Sequence, residues 1–197
     1  MIAWSPEVRV LRDPAATFRE VAASGAGAWT LLRRPLFLLF VMGLFVSLQS
    51  SGRLSVRAVP DGMISFLFLP VVEVLALGVV YLRGDRRLPF ARIVDAFFVS
   101  NAPWFLWILG FFVWRIGQTP LQLSAPSAVE YWSTAASLIV PAVWSAWLDV
   151  QFFRVVLLRR AGSAVSDVLL QRLVGWPCAL GYFFGIAAWG TLVEWIH

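Results

Sequence analysis

The sequence has no lysine, one cysteine and one histidine, and these scarcities close off whole classes of chemistry. A lone thiol, Cys178, cannot form an intrachain disulfide or build a cysteine-based zinc or iron–sulfur site. It falls in the last apolar run, where a small buried hydrophobe is the ordinary reading. The single histidine is the last residue, His197, which excludes bis-histidine haem ligation and most histidine-based metal or proton-relay chemistry. Catalytic signatures are missing too. No glycine-rich phosphate loop, nucleophile elbow or HExxH helix occurs, and the loop serines have no candidate base. The chain therefore reads as a non-enzyme, with no cofactor and no metal site.

Charge is also scarce. Charged residues make up 14% of the chain, against 60% hydrophobic ones and a mean hydropathy of +0.78. A soluble domain carries about 25% charged residues, so this chain lacks the polar surface to cover itself with water. Several apolar runs approach the roughly 20 residues that a bilayer-crossing helix requires. They are continuous rather than alternating, which argues against a transmembrane β-barrel.

The expected fold is therefore all-α, a polytopic membrane helix bundle with about five transmembrane helices. The spans fall near 35–51, 63–82, 96–114, 135–158 and 173–195. Residues 1–34 read as a cytoplasmic or interfacial amphipathic segment, and 35–197 as the bundle. No apolar leader precedes a small-residue cleavage site, so no removable signal peptide is expected. In the first segment Asp13-Pro14 has the form of a helix start, an acidic cap followed by proline at the first helical position. Phe18, Val21 and Ala22 then recur at helical spacing. A short helix follows, either lying along the membrane surface or packed on a loop. A second short amphipathic helix is expected near Ser166 or Asp167, between the last two spans.

All 16 basic residues are arginines, giving a net charge of +5. They sit beside apolar spans rather than on a soluble face, so anionic lipid headgroups, not nucleic acid, are the expected counter-charge. Arg33, Arg34, Arg86, Arg87, Arg159 and Arg160 are the candidates for that contact. Thirteen of the 16 lie in the N-terminal segment and in the second–third and fourth–fifth connections. This asymmetry places the N-terminus in the cytoplasm and the C-terminus outside, and the natural setting is a bacterial inner membrane. Trp104, Trp107, Trp114, Trp132, Trp176 and Trp195 fall near span ends, as an interfacial belt would.

Ionisable groups at membrane depth cost about 2.5–3.5 kcal/mol on insertion scales, so each one calls for a reason. Glu73, Asn101 and Asp149 are placed by the span assignments in the same half of the bundle, with Asp95 and Arg154 nearer its rim. Two readings stay open. One is a polar pocket for an ion, a proton or a lipid headgroup. The other is a structural hydrogen-bond network, with Asp95 and Arg154 as a rim ion pair. Gly181 and Gly185 form a GxxxG, which lets a neighbouring helix approach closely, most simply inside the same bundle.

Three features together resemble a known family. The first is DPAATFREVA ahead of the first span. The second is a central connector of the form G-x-x-R-x-P-F, followed by a short amphipathic helix and by Ser100-Asn101-Ala102-Pro103. The third is a tryptophan-rich fourth span ending in arginines. In these the chain resembles the Yip family of integral membrane proteins, whose eukaryotic members interact with Rab-type GTPases. The Asp-Leu-Tyr-Gly-Pro motif of those members is absent, so the likeness is to prokaryotic-type relatives and implies a fold rather than GTPase binding. The expected function is a scaffold, assembly factor or accessory subunit working through helix–helix and lipid contacts, with other membrane subunits as partners. The alternative is a small transporter or channel-like protein using the polar pocket.

Overall fold

The computed structural model describes residues 4–25, 27–51, 53–84, 87–115 and 127–196, with the side chains at 49–51, 115, 131, 176, 179, 180 and 183–196 excluded. Among the described residues the chain is all-helical, with no strand. Four stretches are long and apolar enough to cross a membrane: Ala28–Leu48, Ala58–Leu82, Phe90–Trp114 and Ala128–Val155. The chain is thus an integral membrane protein. The expected fifth span lies in the long helix Ala161–Ile196, and most of its side chains fall outside the described residues.

The N-terminal part forms α1 (Pro6–Arg9) and α2 (Pro14–Ala23). Asp13 caps α2 as its sequence implies, accepting a hydrogen bond from the Ala16 backbone N–H at 3.0 Å, with Pro14 in the first turn. The apolar face of α2 is turned into the bundle rather than toward lipid. Phe18, Val21 and Ala22 are buried in the same core as Leu77, Phe97 and Phe152. Phe18 meets Phe152 edge-to-face at 5.7 Å. The first span, α3 (Ala28–Ser51), begins ahead of Arg33 and Arg34 and carries Pro35 inside it. A division at residue 34 therefore cuts a helix.

The next three spans are each interrupted, and proline chemistry explains where. The second consists of α4 (Ala58–Ser65) and α5 (Phe68–Leu82). The third consists of α6 (Phe90–Phe98), a 3-10 turn (Val99–Asn101) and α7 (Ala102–Arg115). The fourth consists of α8 (Ala128–Ser137) and α9 (Ile139–Val155), separated at Leu138. A proline cannot donate to the carbonyl four residues earlier and its ring crowds that carbonyl. For Pro70 and Pro103 those carbonyls belong to Phe66 and Val99, and both breaks fall there. Each freed oxygen instead accepts an N–H three residues on, from Leu69 and Ala102 respectively. Leu138 lies three residues before Pro141 and marks the third break.

The connection after α9 is not a separate amphipathic helix. Residues from Ala161 onward are the first turns of α10 (Ala161–Ile196), continuous through Pro177. Around these elements α3 packs on α4, α6 and α7, α9 packs on α2, α7 and α10, and α5 packs on α10. The core sits where α2, α5, α6 and α9 converge, dense in phenylalanine: Phe97, Phe152 and Phe153 lie within 5.2–6.4 Å of one another.

Candidate functional site

The break in the third span puts two polar residues, Ser100 and Asn101, on a tight turn inside the bundle, both buried. They point their hydrogen bonds at different neighbours. The Ser100 hydroxyl donates to Asp149 Oδ1 at 2.6 Å on α9. The Asn101 amide donates to Glu73 Oε2 at 3.3 Å on α5. The three residues singled out in the sequence are thus brought to one level, with Ser100, named there as part of the Ser100–Pro103 run and not as a polar contact, as the link to Asp149.

Asp149 is almost wholly inaccessible and lies six residues before the end of α9. Its second oxygen accepts a 2.7 Å bond from Arg172 on α10. The same guanidinium nitrogen donates to the Ser145 hydroxyl at 3.3 Å, and Trp104 Nε1 donates to that hydroxyl at 3.1 Å. A chain of polar contacts therefore runs Trp104–Ser145–Arg172–Asp149–Ser100 across α7, α9, α10 and the 3-10 turn. Arg172 was legible as a residue of the fourth–fifth connection, but its reach into the bundle was not. Six residues before α9 ends, Asp149 is about 9 Å along the helix axis, within range of a long guanidinium side chain.

Glu73 is held differently. It is only half-buried, and among the described residues its hydrogen-bond partner is Asn101, at 3.3 Å. It sits nine residues before the end of α5, about 13 Å along the helix. Asp149 and Arg172 are near enough to act on it electrostatically.

The expected rim pair of Asp95 with Arg154 is not formed. Asp95 is buried on α6 and its carboxylate is gripped by two arginines of α3. Arg33 donates from Nε at 2.6 Å and from a terminal nitrogen at 2.5 Å. Arg34 forms a second ion pair with the same carboxylate and also donates to the Asp95 backbone carbonyl at 3.1 Å. Arg34 in turn donates from Nε to Glu7 at 2.8 Å, tying α1 to the bundle. Arg154 is exposed and makes no ion pair among the described residues, because it lies on the face of α9 that leaves the core.

The arginines expected at lipid headgroups divide accordingly. Arg33 and Arg34 are engaged with Asp95 and Glu7, since α3 begins far enough upstream to bring both against α6. Arg159 lies 2.9 Å from Asp167, in ion contact but without hydrogen-bond alignment. Arg87 and Arg160 are exposed, and Arg86 lies outside the described residues.

Other expectations are also corrected by geometry. Gly181 faces open space, with nothing within 4 Å of where a Cβ would stand, and Gly185 lies outside the described side chains. The close helix approach occurs instead at Gly43 and Gly62. A Cβ on Gly43 would stand 2.6 Å from the Val59 carbonyl oxygen, and one on Gly62 would stand 3.0 Å from Gly43 Cα. Cys178 is exposed rather than buried. Trp104 and Trp107 donate to Ser145 and Ser137 of the neighbouring span, so they serve as interhelical donors rather than a free interfacial belt, whereas Trp114 and Trp132 are exposed. Trp176 and Trp195 lie outside the described side chains. No protein-family model matches the chain, and neither the curated proteins nor the solved structures contain a match to it.

Proposed function

We propose that this chain is a non-catalytic integral membrane protein of the Yip-like kind, acting as a scaffold, assembly factor or accessory subunit of a membrane complex. Its arginine-rich end faces the cytoplasm of a bacterial cell. The observation that carries this reading is how its buried charges are used. Asp95 is closed by Arg33 and Arg34, and Asp149 by Arg172 and Ser100. Groups committed to holding helix against helix serve a rigid platform better than a moving carrier. The many large apolar side chains left on the outside, such as Val56, Leu75 and Leu173, supply lipid-facing and partner-facing surface.

A second reading rests on one specific feature. The sequence lacks a visible pair of broken helices, yet three spans are interrupted, and the polar turn at Ser100-Asn101 is one of the interruptions. Discontinuous helices lining a polar centre are how many transporters form their sites. On this reading Glu73, with one neutral hydrogen-bond partner, is the coupling group.

Purification from native membranes in mild detergent separates the two. Stoichiometric protein partners that survive Glu73→Gln support the platform. A lone protein that conducts pH-dependent flux in liposomes, abolished by Glu73→Gln, overturns it.

A further inference from the structure

α1 (Pro6–Arg9) comes ahead of the four spans in the chain, yet it packs against the 3-10 turn Val99–Asn101 inside the third of them. Val99 is nine residues into that span, about 13 Å along its axis. A segment that does not cross the bilayer reaches such a level only where protein buries it or a polar cavity adjoins it. The turn beside α1 is polar: from it Ser100 and Asn101 donate to Asp149 and Glu73. We propose that α1 is a latched cover over this turn, and that its release opens Ser100 and Asn101 to water from the arginine-rich end of the bundle. On the platform reading the cover is a seal, and on the transport reading it is a gate.

The covered turn is closed off, with Val99 0%, Ser100 1% and Asn101 7% exposed. α6 and α7 continue it in the chain, and α9 and α1 pack on it from elsewhere. Of these elements α1 is the one that can leave without dismantling the bundle. α9 belongs to a span and is fastened to α10 through Asp149 and Arg172. α1 is a single turn of helix, too short to hold its shape alone, and its N-cap Ser5 makes no side-chain capping bond.

The fastening of α1 is correspondingly narrow. Glu7 accepts from Arg34 Nε at 2.8 Å, and Arg34 carries the link onward by donating to the Asp95 backbone carbonyl at 3.1 Å. The Arg34 and Glu7 side chains are 11% and 25% exposed, so this charge-assisted bond is the stronger fastening. The other charged link, Arg9 to Glu20 at 2.6 and 2.8 Å, joins α1 to α2 and not to the spans. It is exposed, and such pairs contribute little. Val10, wholly buried, anchors the turn after α1, and α2 is fixed in the core by Phe18 against Phe152. The joint therefore lies in the turn Val10–Arg12, and the residues before it can lift while α2 stays in place.

Thiol labelling tests this on the full chain in mild detergent at pH 7, with Cys178→Ala removing the native thiol. Val99→Cys and Asn101→Cys report on the turn, and Val80→Cys, also buried but on α5, reports on the rest of the core. The reagent is a charged, water-soluble methanethiosulfonate. All three positions should react slowly while α1 is latched. Glu7→Gln should speed the reaction at positions 99 and 101 by about tenfold or more, as loss of a charge-assisted hydrogen bond implies, and leave position 80 slow. Arg9→Gln, which breaks only the exposed pair, should change the rates by about fivefold at most. Fast labelling at positions 99 and 101 with Glu7 intact overturns the cover, and so does a rate that Glu7→Gln fails to raise. A Glu7→Gln variant in which position 80 speeds up as much as position 99 also overturns it, by marking an opening of the whole bundle.

Discussion

Asp95 and Arg33 are joined by a two-pronged ion pair, Nε and a terminal nitrogen on the two carboxylate oxygens, although 62 residues separate them in the chain. The aspartate is buried, and Arg34 grips it from the other side. Removing one member of a buried pair leaves uncompensated charge, a loss of about 3–5 kcal/mol. Because the Arg33 side chain is 41% exposed and can turn outward, Asp95→Asn should fall at the lower end, about 3 kcal/mol. Arg154→Gln, the partner that sequence position alone suggests, should change stability by no more than about 0.5 kcal/mol. Thermal unfolding of the two variants in the same detergent measures the difference.

The same cluster sets a pH dependence at the N-terminus. Burial works against the charge of Glu7, but the Arg34 hydrogen bond, the residue's own backbone N–H, the Arg34 charge and the Ser5 hydroxyl outweigh it, and the carboxyl titrates below its ordinary value of 4.5. A depressed folded-state value means that the contact contributes fully above about pH 4.5 and is lost as the pH falls through the lower, folded-state value. Docking of α1 should therefore weaken only in acid. Protection factors of residues 6–23, the observed exchange corrected for its intrinsic pH dependence, should be the same at pH 7 and 5.5 and fall only below the ordinary carboxyl value of 4.5. Glu7→Gln should show low protection factors at pH 7 and little further change in acid. Loss of protection in the wild type already near pH 6 would contradict the assignment.

What the sequence disclosed, and what it hid, divides along a physical line. Local chemistry was legible: Asp13 caps α2 because an acidic residue before proline can do little else so well, and the apolar runs mark four spans by length alone. Pro103 was visible in the run Ser100-Asn101-Ala102-Pro103, but not that it would make a 3-10 turn presenting Ser100 and Asn101. Pairings were the hidden part. Glu73, Asn101 and Asp149 share a level because their distances from the span ends are similar. Asp95 could not be matched to Arg33, since that contact depends on where α3 begins and how it rotates against α6. Arg172 was counted as a surface charge, yet an arginine reaches far enough to enter the bundle from its rim.

Helix approach gives a third test. Gly43 and Gly62 let α3 and α4 meet almost backbone to backbone, and a methyl at Gly43 would press on the Val59 carbonyl at 2.6 Å and on Met63 Cγ at 2.8 Å. Overpacking of this kind costs about 1–3 kcal/mol. Gly43→Ala should lower the melting temperature clearly, while Gly181→Ala, facing open space, should leave it unchanged. The reverse order would place the tight contact at the GxxxG after all.

The two membrane-depth carboxylates should separate in a mutant pair. Asp149 accepts from Ser100 at 2.6 Å and from Arg172 at 2.7 Å, so Asp149→Asn keeps the shape but strips the charge that Arg172 faces. A buried cation without its partner is destabilising by several kcal/mol, here about 3, since Arg172 is 28% exposed and can partly withdraw. Glu73 faces a neutral amide across 3.3 Å, and Glu73→Gln preserves a partner for Asn101 with no charge left stranded. Its stability should stay within about 1 kcal/mol of the wild type. If Glu73→Gln nonetheless abolishes a measurable activity while the protein folds normally, the polar turn is a working site and the platform reading loses its support. If Asp149→Asn folds as well as the wild type, Arg172 is not holding α10 to α9 in the way its geometry indicates. Melting curves and expression levels for the two variants, recorded side by side, decide both points.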